Sequence, residues 1–488
     1  MNKQDKKELR QQIACEWLEQ NYLQYDSLRH DMVTDRLQIR VADLHSLSAP
    51  HNATSVIGDP AEDAASGYSL EVRGKENWRN LTDKDINTMV CQCVQETGVN
   101  ISVTEIWTAL KSDLITSVHP IRDWLNHLPE YTPDQPDWID MVAQQVTVSP
   151  SPLSNSLEDA ASGYSLEAAM PQCKVYGVKC KGEGNNPTPS ADALWRVCFK
   201  KWFVAMVASW MKDDVVNHTV LVLVGRQGIF KTTWLDHLMP PELRAYSSKL
   251  PLSGQITKDD RLRLCENAML NIDELDAICG REMNIVKSLL TSTDVNERAA
   301  YGRLKERRVR LASFCASTNN REFLTDITGN RRWLPFEVES IQNPFHTTLP
   351  YEYLYAQAKH MVEQGWFAYW FDMQEIEELE KHNEEFRAQD NEEQLLPILF
   401  DIPAEGKGEF MTTAEISERL VTFGGIKKPM NTRQLGMLMT KKGFEKKQVY
   451  LSGSTVRGWM VYKRDTDEIT LAKKIDNDYA SCQPSDIY

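Results

Sequence analysis

A glycine-containing segment at residues 225–233 is the first place where residue types and spacing predict chemistry. It reads Gly-Arg-Gln-Gly-Ile-Phe-Lys-Thr-Thr and directly follows an apolar run at 219–224. Small residues let backbone N–H groups converge on a phosphate, a lysine reaches the β- and γ-phosphates, and a hydroxyl holds Mg²⁺. A helix beginning here adds unpaired N–H groups and a positive dipole. We therefore expect ATP and Mg²⁺ as cofactors, with Thr232 as a metal ligand; the candidate nucleotide-binding residues are Gly225, Gly228, Phe230, Lys231, Thr232 and Thr233.

One position in this segment departs from the usual pattern. The residue before the lysine is ordinarily glycine, whereas this chain has Phe230. We expect phenylalanine to be tolerated there only if its φ is negative. The departure predicts an atypical loop or reduced nucleotide affinity, and a simple turn into a helix stays open as the alternative for this segment taken alone.

A second apolar run, residues 268–272, ends in the acidic pair Asp273 and Glu274. An aspartate in that position can bind Mg²⁺ directly or through water, and the glutamate can orient and activate the attacking water. An acidic pair can also simply cap a following helix. Its position after an apolar strand, downstream of the first segment, favours catalysis.

Polar residues that can act on phosphates follow a third apolar run, residues 311–316. Asn319 can hydrogen-bond the γ-phosphate or the attacking water. Further along, Arg331 and Arg332 can stabilise the charge that develops in phosphoryl transfer, in the same subunit or from a neighbouring one. The alternative is a surface arginine pair near Trp333.

The apolar runs alternate with helical patterns at residues 231–238 and 281–292, which predicts an α/β core of three layers with a parallel sheet. A segment of ten residues, 62–71, recurs unchanged at 158–167, and we attach no chemistry to it. The predicted layout is a mostly helical N-terminal region (1–148) with a disordered insertion near 51–76, a linker (149–190), the core (191–345), an acidic helical connector (346–394), a small domain (395–465) and a tail (466–488).

Composition excludes some classes of protein. Of the 488 residues, 41% are hydrophobic and 26% charged, as in soluble globular proteins. The apolar runs are far shorter than the roughly 20 residues of a membrane helix, so we expect no membrane partner. The N-terminus lacks the apolar segment of a secretion signal, and the ten cysteines are scattered. These features predict a cytoplasmic protein.

The predicted small domain carries a local excess of positive charge, although the net charge of the chain is −15. Residues 419–464 contain eleven Lys or Arg and one acid. Two helices, the second capped by Asn431, and a hairpin around residues 452–454 predict a winged helix. Its second helix would enter the major groove of duplex DNA, while packing on protein is the alternative. The candidate DNA-binding residues here are Arg433, Lys441 and Lys442.

Taken together, the motifs resemble the virulence-associated E family, ATPases of phages and mobile elements that are similar to superfamily-three helicases. The resemblance is closest over residues 220–336, and its most specific piece is Thr-Gly-Asn-Arg-Arg-Trp at 328–333. A weaker similarity includes residues 120–126. We find no primase-like acidic triad in the first 170 residues, so the chain looks like the ATPase part without its own primase.

The resemblance implies an AAA+-like fold for the core and a role for each candidate residue. Lys231 and Thr232 would form the Walker A pair, Asp273 and Glu274 the Walker B pair, and Asn319 the sensor. Either Arg331 or Arg332 would be the arginine finger or a second sensor.

Such helicases usually form hexameric rings that move on single-stranded DNA with a hairpin between Walker B and the sensor strand. Residues 298–310 lie in that interval, with Tyr301 and Gly302 at a plausible tip. Basic residues can follow the phosphates and Tyr301 can stack on a base, whereas a solvated basic loop is the alternative. The candidate DNA-binding residues are Arg298, Tyr301, Arg303 and Lys305.

The resulting expectation is an ATP-driven DNA helicase or translocase that serves replication of a phage or other mobile element. Its expected partners are single-stranded and duplex DNA, further copies of the chain in a ring, and a separate primase or initiator. One alternative is a nucleotide-gated DNA-binding switch, for example in phage defence, that unwinds nothing; Phe230 favours it. A small-molecule kinase is disfavoured because no lid-like arginine cluster is evident.

Overall fold

The computed structural model of the chain describes residues 2–40, 78–150, 191–250, 257–273, 275, 280–297, 306–325, 330–388, 390–404, 408–424, 426, 429–451, 454–465 and 468–469. The repeated segments 62–71 and 158–167, the predicted insertion at 51–76 and the predicted linker from residue 151 onward lie outside these residues. Among the described helices, none has both the length and the apolarity that crossing a membrane requires.

The helices are α1 Lys3–Asn21, α2 Asp83–Thr97, α3 Val103–Leu110, α4 Pro120–Asn126, α5 Trp138–Ala143, α6 Ala191–Met211, α7 Lys231–His237, α8 Lys258–Glu266, α9 Gly280–Thr291, α10 Tyr351–Gln364, α11 Met373–Asn383, α12 Asn391–Leu399, α13 Thr413–Gly424 and α14 Thr432–Lys441. The strands are β1 Leu28–Asp31, β2 Arg36–Arg40, β3 Trp78–Asn80, β4 Ser117–Val118, β5 Val146–Val148, β6 Val220–Val224, β7 Ser247–Lys249, β8 Met269–Ile272, β9 Asp294–Glu297, β10 Glu306–Val309, β11 Ser313–Thr318, β12 Trp333–Ile341, β13 Phe400–Asp401, β14 Glu409–Thr412, β15 Glu445–Leu451 and β16 Ser454–Lys463.

The N-terminal region is helical, as predicted, but it also contains a four-stranded sheet in the order β3-β2-β1-β4. At the start of α2, the side chains of Thr82 and Asp85 each accept a hydrogen bond from the backbone N–H of the other residue. The helix is followed by Gly98, whose φ is +67°. That ending suits glycine, which adopts positive φ at little cost. Apolar residues from α1, α2 and α3 pack against strands β1 and β2 in one core.

The largest sheet has the order β5-β12-β6-β11-β8-β7, and all its strands are parallel except β5, which pairs antiparallel with β12. Strands β6, β8 and β11 are buried at every position. Continuous apolar strands of this kind are typical of a parallel sheet covered on both faces. The α/β class is therefore confirmed, and strand β6 lies within the apolar run at 219–224.

Helices cover both faces of this sheet because alternate strand residues point to opposite sides. Leu221 and Leu223 join a core with α6, α7 and α10, together with residues of α4 and α5. Val220 and Val222 join a second core with α8 and α9. The central core thus includes side chains from residues 121–148.

Helix α6 is buried along most of its length, with three tryptophans that are 0% exposed. Each indole N–H donates to a backbone carbonyl: Trp195 to Ala143, Trp202 to Phe314 and Trp210 to Ala268. A buried indole needs such a partner, since an unpaired donor inside a protein costs free energy. These bonds fix the helix against strands β8 and β11.

Strand β12 was not predicted, because Pro335 interrupts its pattern and proline lacks the N–H of a sheet ladder. The structure explains how the strand accepts it. Residues 333–337 pair with β6, whereas β5 pairs only with residues 338–341. The backbone edge of Pro335 that faces away from β6 meets His382, whose Nε2 lies 2.7 Å from the proline carbonyl oxygen.

Helices α13 and α14 and strands β14 and β16 form a unit whose apolar core includes the preceding helix α12 and strand β13. Strand β15 joins this unit by pairing with β16. Asn431 caps α14, as predicted, since its Oδ1 accepts from the N–H of Gln434. Strands β15 and β16 form the predicted hairpin and extend further than expected. This unit contacts the preceding helical region through ion pairs, in which Lys441 bonds to Glu384 and Lys442 to Glu393.

Candidate active site

The three chemically distinctive segments meet at the carboxyl ends of β6, β8 and β11. These strands are neighbours in the sheet, and the residues that follow them therefore lie at one edge. A pocket of about 330 Å³ opens there. It is lined by Gln227, Gly228, Phe230, Lys231, Thr232, Thr233, Asp273, Ser317, Thr318 and Asn319.

The loop between β6 and α7 needs glycine at its first position. Gly225 has a φ of +153°, and a Cβ atom there would lie 2.7 Å from the carbonyl oxygen of Val338 on β12. Gly228 also has a positive φ, +87°. The loop can therefore pass close to the neighbouring strand while its backbone turns towards the start of α7.

Our expectation for Phe230 is wrong: its φ is +68°, in the left-handed region. A side chain in that region costs about 1–3 kcal/mol, and the conformation persists only where the surroundings impose it. Here Phe230 is the N-cap residue, directly before the first residue of α7. The loop therefore keeps the backbone course that glycine ordinarily allows, and the substitution is absorbed as local strain.

Lys231 is only 6% exposed, and its ammonium group lies inside the loop. Its Nζ donates to the carbonyl oxygens of Gly225 at 2.7 Å and Arg226 at 2.6 Å, and to Oδ1 of Asn319 at 3.0 Å. A lysine ammonium has three N–H donors. A phosphate entering the pocket would compete with these acceptors, which already hold the cation in place.

The oxygen atoms suited to Mg²⁺ lie beside the lysine. Thr232 Oγ1 is 3.3 Å from Asp273 Oδ1 and 2.9 Å from Ser317 Oγ. A hydroxyl and one carboxylate fit Mg²⁺, which takes few protein ligands and completes its shell with water and phosphate oxygens. No cluster of three or more metal-binding side chains occurs in the described part of the chain.

Lys249, at the end of β7, is a site residue that the sequence analysis missed. Its Nζ forms an ion pair with Oδ2 of Asp273. The lysine reaches this carboxylate because β7 lies next to β8, with Lys249 opposite Asn271. The short strand β7 has no apolar pattern, so nothing in the local sequence indicates this position.

Arg331 and Arg332 lie in a short turn just before β12, and neither lines the pocket. Arg332 lies near Lys287 of α9. Burial, together with the positive charge of Arg332, lowers the pKa of Lys287 to about 8. Arg332 therefore lies close to another cationic side chain, and neither arginine lines the pocket of its own chain.

The chain between Asp273 and strand β11, which includes the predicted DNA-contacting segment at residues 298–310, contains an antiparallel pair of strands, β9 and β10. In this pair Glu297 lies opposite Glu306. Arg310, at the end of that interval, does not face outward: it is 0% exposed. The catalytic candidate Glu274 and the DNA-binding candidates Arg298, Tyr301, Arg303 and Lys305 lie outside the described residues.

The candidates on α14 differ in their surroundings. Arg433 is exposed. Lys441 and Lys442 are also at the surface, but both bond to acids of the preceding region, so their charges are partly neutralised within the chain. Their acidic partners are distant in sequence and could not be inferred from the helix alone.

Comparisons with known proteins give one match to a family model. The virulence-associated protein E-like domain model matches residues 188–388. Three solved apo structures of the NrS-1 C-terminal region are similar, with TM-scores of 0.36, 0.33 and 0.34 and 11% identity each. They cover 89–90% of this chain, which covers 96–98% of theirs. No curated protein matches the chain.

Proposed function

We propose that the chain is an ATP-dependent DNA helicase or translocase, and the match of residues 188–388 to the virulence-associated protein E-like domain model supports this proposal. It would serve DNA replication of a phage or other mobile element. The observation that carries the proposal is the meeting of Lys231, Thr232, Asp273 and Asn319 around one pocket at the carboxyl edge of a parallel sheet. Edges of this kind are where α/β proteins bind nucleotides.

In the proposed reaction, Lys231 contacts the β- and γ-phosphates. To do so, its ammonium group gives up its hydrogen bonds to the carbonyl oxygens of Gly225 and Arg226. Thr232 and Asp273 would hold Mg²⁺, which neutralises charge on the phosphates. Asp273 would bind the metal through Oδ1, the oxygen nearer Thr232, while Lys249 keeps its ion pair with Oδ2. Asn319 contacts the γ-phosphate, and Glu274 orients the attacking water.

We propose that one arginine of the pair acts on the pocket of a neighbouring subunit. The position of Arg331 and Arg332 away from the pocket of their own chain supports this arrangement. In a closed ring, each interface would join one phosphate-binding loop to one arginine turn. The ring would be hexameric, as in superfamily-three helicases.

Subunit mixing tests the arrangement in trans. Arg332→Ala and Lys231→Ala chains are each expected to be inactive alone. Mixed together they should recover part of the ATP turnover, because some interfaces then pair an intact lysine with an intact arginine. Turnover is measured at several mixing ratios, with Arg331→Ala in place of Arg332→Ala as the matched comparison. Absence of rescue with either arginine variant would mean that the arginines act within one chain or not at all.

Two elements are proposed to contact DNA. The first is the connection between β9 and β10, with Arg298, Tyr301, Arg303 and Lys305 facing single strands. The second is the C-terminal unit, as a winged helix that binds duplex DNA through Arg433, Lys441 and Lys442. Since both lysines bond to acids of the preceding region, duplex phosphates would have to replace those acids.

A nucleotide-gated DNA-binding switch is the second candidate, and the strained Phe230 is the observation that favours it. A loop that holds its shape against such strain can bind nucleotide and still turn over slowly. Such a switch would change DNA affinity on nucleotide binding without strand displacement.

Hydrolysis and strand displacement separate the two candidates. A helicase is expected to hydrolyse ATP several-fold faster with single-stranded DNA and to displace a strand from a forked duplex. A switch should hydrolyse slowly, respond little to DNA and displace nothing. The assay uses the full chain with Mg²⁺, and a non-hydrolysable ATP analogue is the control for displacement. Failure to bind ATP at all would reject both candidates.

A further inference from the structure

We propose that the ring of Phe345, against which Phe230 and His237 pack nearly at right angles, is the surface on which the nucleobase of the bound nucleotide stacks. The inference rests on the proposed nucleotide site and adds to it the position and the chemistry of base recognition. We call these three rings the aromatic platform.

The first support is the exposure of Phe345 in an ordered turn. The side chain is 69% exposed although it is large and apolar. Asn343 holds the turn, since its Oδ1 accepts from the N–H of Phe345 at 3.0 Å and its carbonyl oxygen accepts from His346 and Thr347 at 3.1 Å. The backbone therefore presents the ring at the surface in a fixed place.

The second support is the continuity between the platform and the pocket. The Phe345 ring centroid lies 6.3 Å from that of Phe230 and 5.7 Å from that of His237, with both neighbouring rings nearly perpendicular to it. Residues 230, 233 and 237 fall on one face of α7 because residues three and four apart are neighbours on a helix. Phe230 and Thr233 also line the pocket. The aromatic surface thus begins at the rim of the phosphate site and continues along the helix.

The third support is the direction of this surface relative to the metal ligands. Thr232 faces Asp273 and Ser317, which places the proposed metal and the γ-phosphate on that side of α7. The adjacent residue Thr233 lies instead on the face of α7 that carries Phe230 and His237. His237 is held in place there, because its Nδ1 lies 2.8 Å from the Thr233 carbonyl oxygen. A nucleotide whose γ-phosphate lies near Asp273 would therefore direct its base towards Phe345.

The fourth support is chemical. The pocket is lined mostly by polar side chains and backbone and suits a triphosphate with its metal, whereas a base needs a flat apolar partner. Aromatic side chains supply this partner, because every base has a π-face that can stack. The platform provides such a surface where the sugar and base would leave the pocket.

The test is Phe345→Ala in the full chain, with tripolyphosphate as a probe that has the phosphates but no base. We expect the KM for ATP to rise about tenfold, as loss of a stacking partner implies, while kcat changes by less than about twofold. Inhibition by tripolyphosphate should be unchanged. Phe345→Trp should restore the KM for ATP, and Tyr25→Ala, which removes a 60% exposed ring in the N-terminal region, is the matched control.

The outcomes separate this inference from the proposed function. An unchanged KM for ATP in Phe345→Ala would overturn the platform. An equal weakening of ATP and tripolyphosphate would also overturn it, because the substitution would then act through the loop at Phe230. Wild-type protein that binds neither compound would reject the nucleotide site itself.

Discussion

Alanine in place of Lys231 is expected to lower ATP turnover by at least about 10²-fold, the loss seen when one group that stabilises transition-state charge is removed. Lys231 is the only lysine or arginine among the described residues that line the pocket. Among these lining residues it is therefore the one side chain whose positive charge can offset the charge on the β- and γ-phosphates. Turnover is measured at saturating ATP and Mg²⁺, with a thermal melt to show that the variant is folded.

Lys212→Ala is the matched control for this experiment. Lys212 is an exposed lysine that directly follows α6, away from the loop. Its replacement should leave turnover within about twofold of the wild type, since surface substitutions usually have small effects. Normal turnover in a folded Lys231→Ala protein would remove the nucleotide-site assignment, and with it the reading of Thr232 and Asp273 as metal ligands.

The second large effect is expected for stability. Arg310 is completely buried, and its guanidinium donates to five backbone carbonyl oxygens. Two of them, those of Leu289 and Leu290, belong to the last turn of α9, where helix carbonyls lack partners of their own. The guanidinium also lies 5.1 Å from the centre of the Phe314 ring. One side chain thus joins α9, the start of β6 and the start of β11.

Replacement of Arg310 by methionine should lower the free energy of unfolding by about 3–5 kcal/mol, because several buried carbonyls lose their donor at once. The change is measured by urea denaturation followed through tryptophan fluorescence. Arg307→Met, on β10 three residues before Arg310, is the control: that side chain is 76% exposed and bonds only to Asp294 among the described contacts. Its loss should cost less than about 1 kcal/mol. Equal effects of the two substitutions would show that the carbonyl cluster contributes little.

The sequence could predict the central strands and the residues that follow them, because both signals are local. Strand β6 is a continuous apolar run that is followed by Gly225, and β8 is followed by Asp273. Parallel strands bring their carboxyl ends to one edge, so the meeting of Lys231, Asp273 and Asn319 could be expected. The hydrogen bonds among these residues and the ion pair of Lys249 could be identified only from the structure.

What could not be predicted depends on partners that are distant in sequence. Strand β12 could not be recognised in the sequence because it contains Pro335. The structure tolerates this proline because β5 does not pair with that position. The φ of Phe230 is imposed by the surrounding loop and helix rather than by its residue type. Lys441 is positive in the sequence and ion-paired in the structure, because Glu384 approaches it from the acidic region.

The attachment of β9 and β10 has a mechanical consequence. Arg310 ties the base of β10 to α9 and to the central sheet. Arg308, two residues earlier, bonds to Glu266 of α8 and to the carbonyl oxygen of Val33 in the N-terminal region. A force applied to the connection between these strands would be transmitted through Arg310 and Arg308 to the central sheet and to the N-terminal region. The pair of strands is therefore anchored at its base to α9, to α8 and to the N-terminal region.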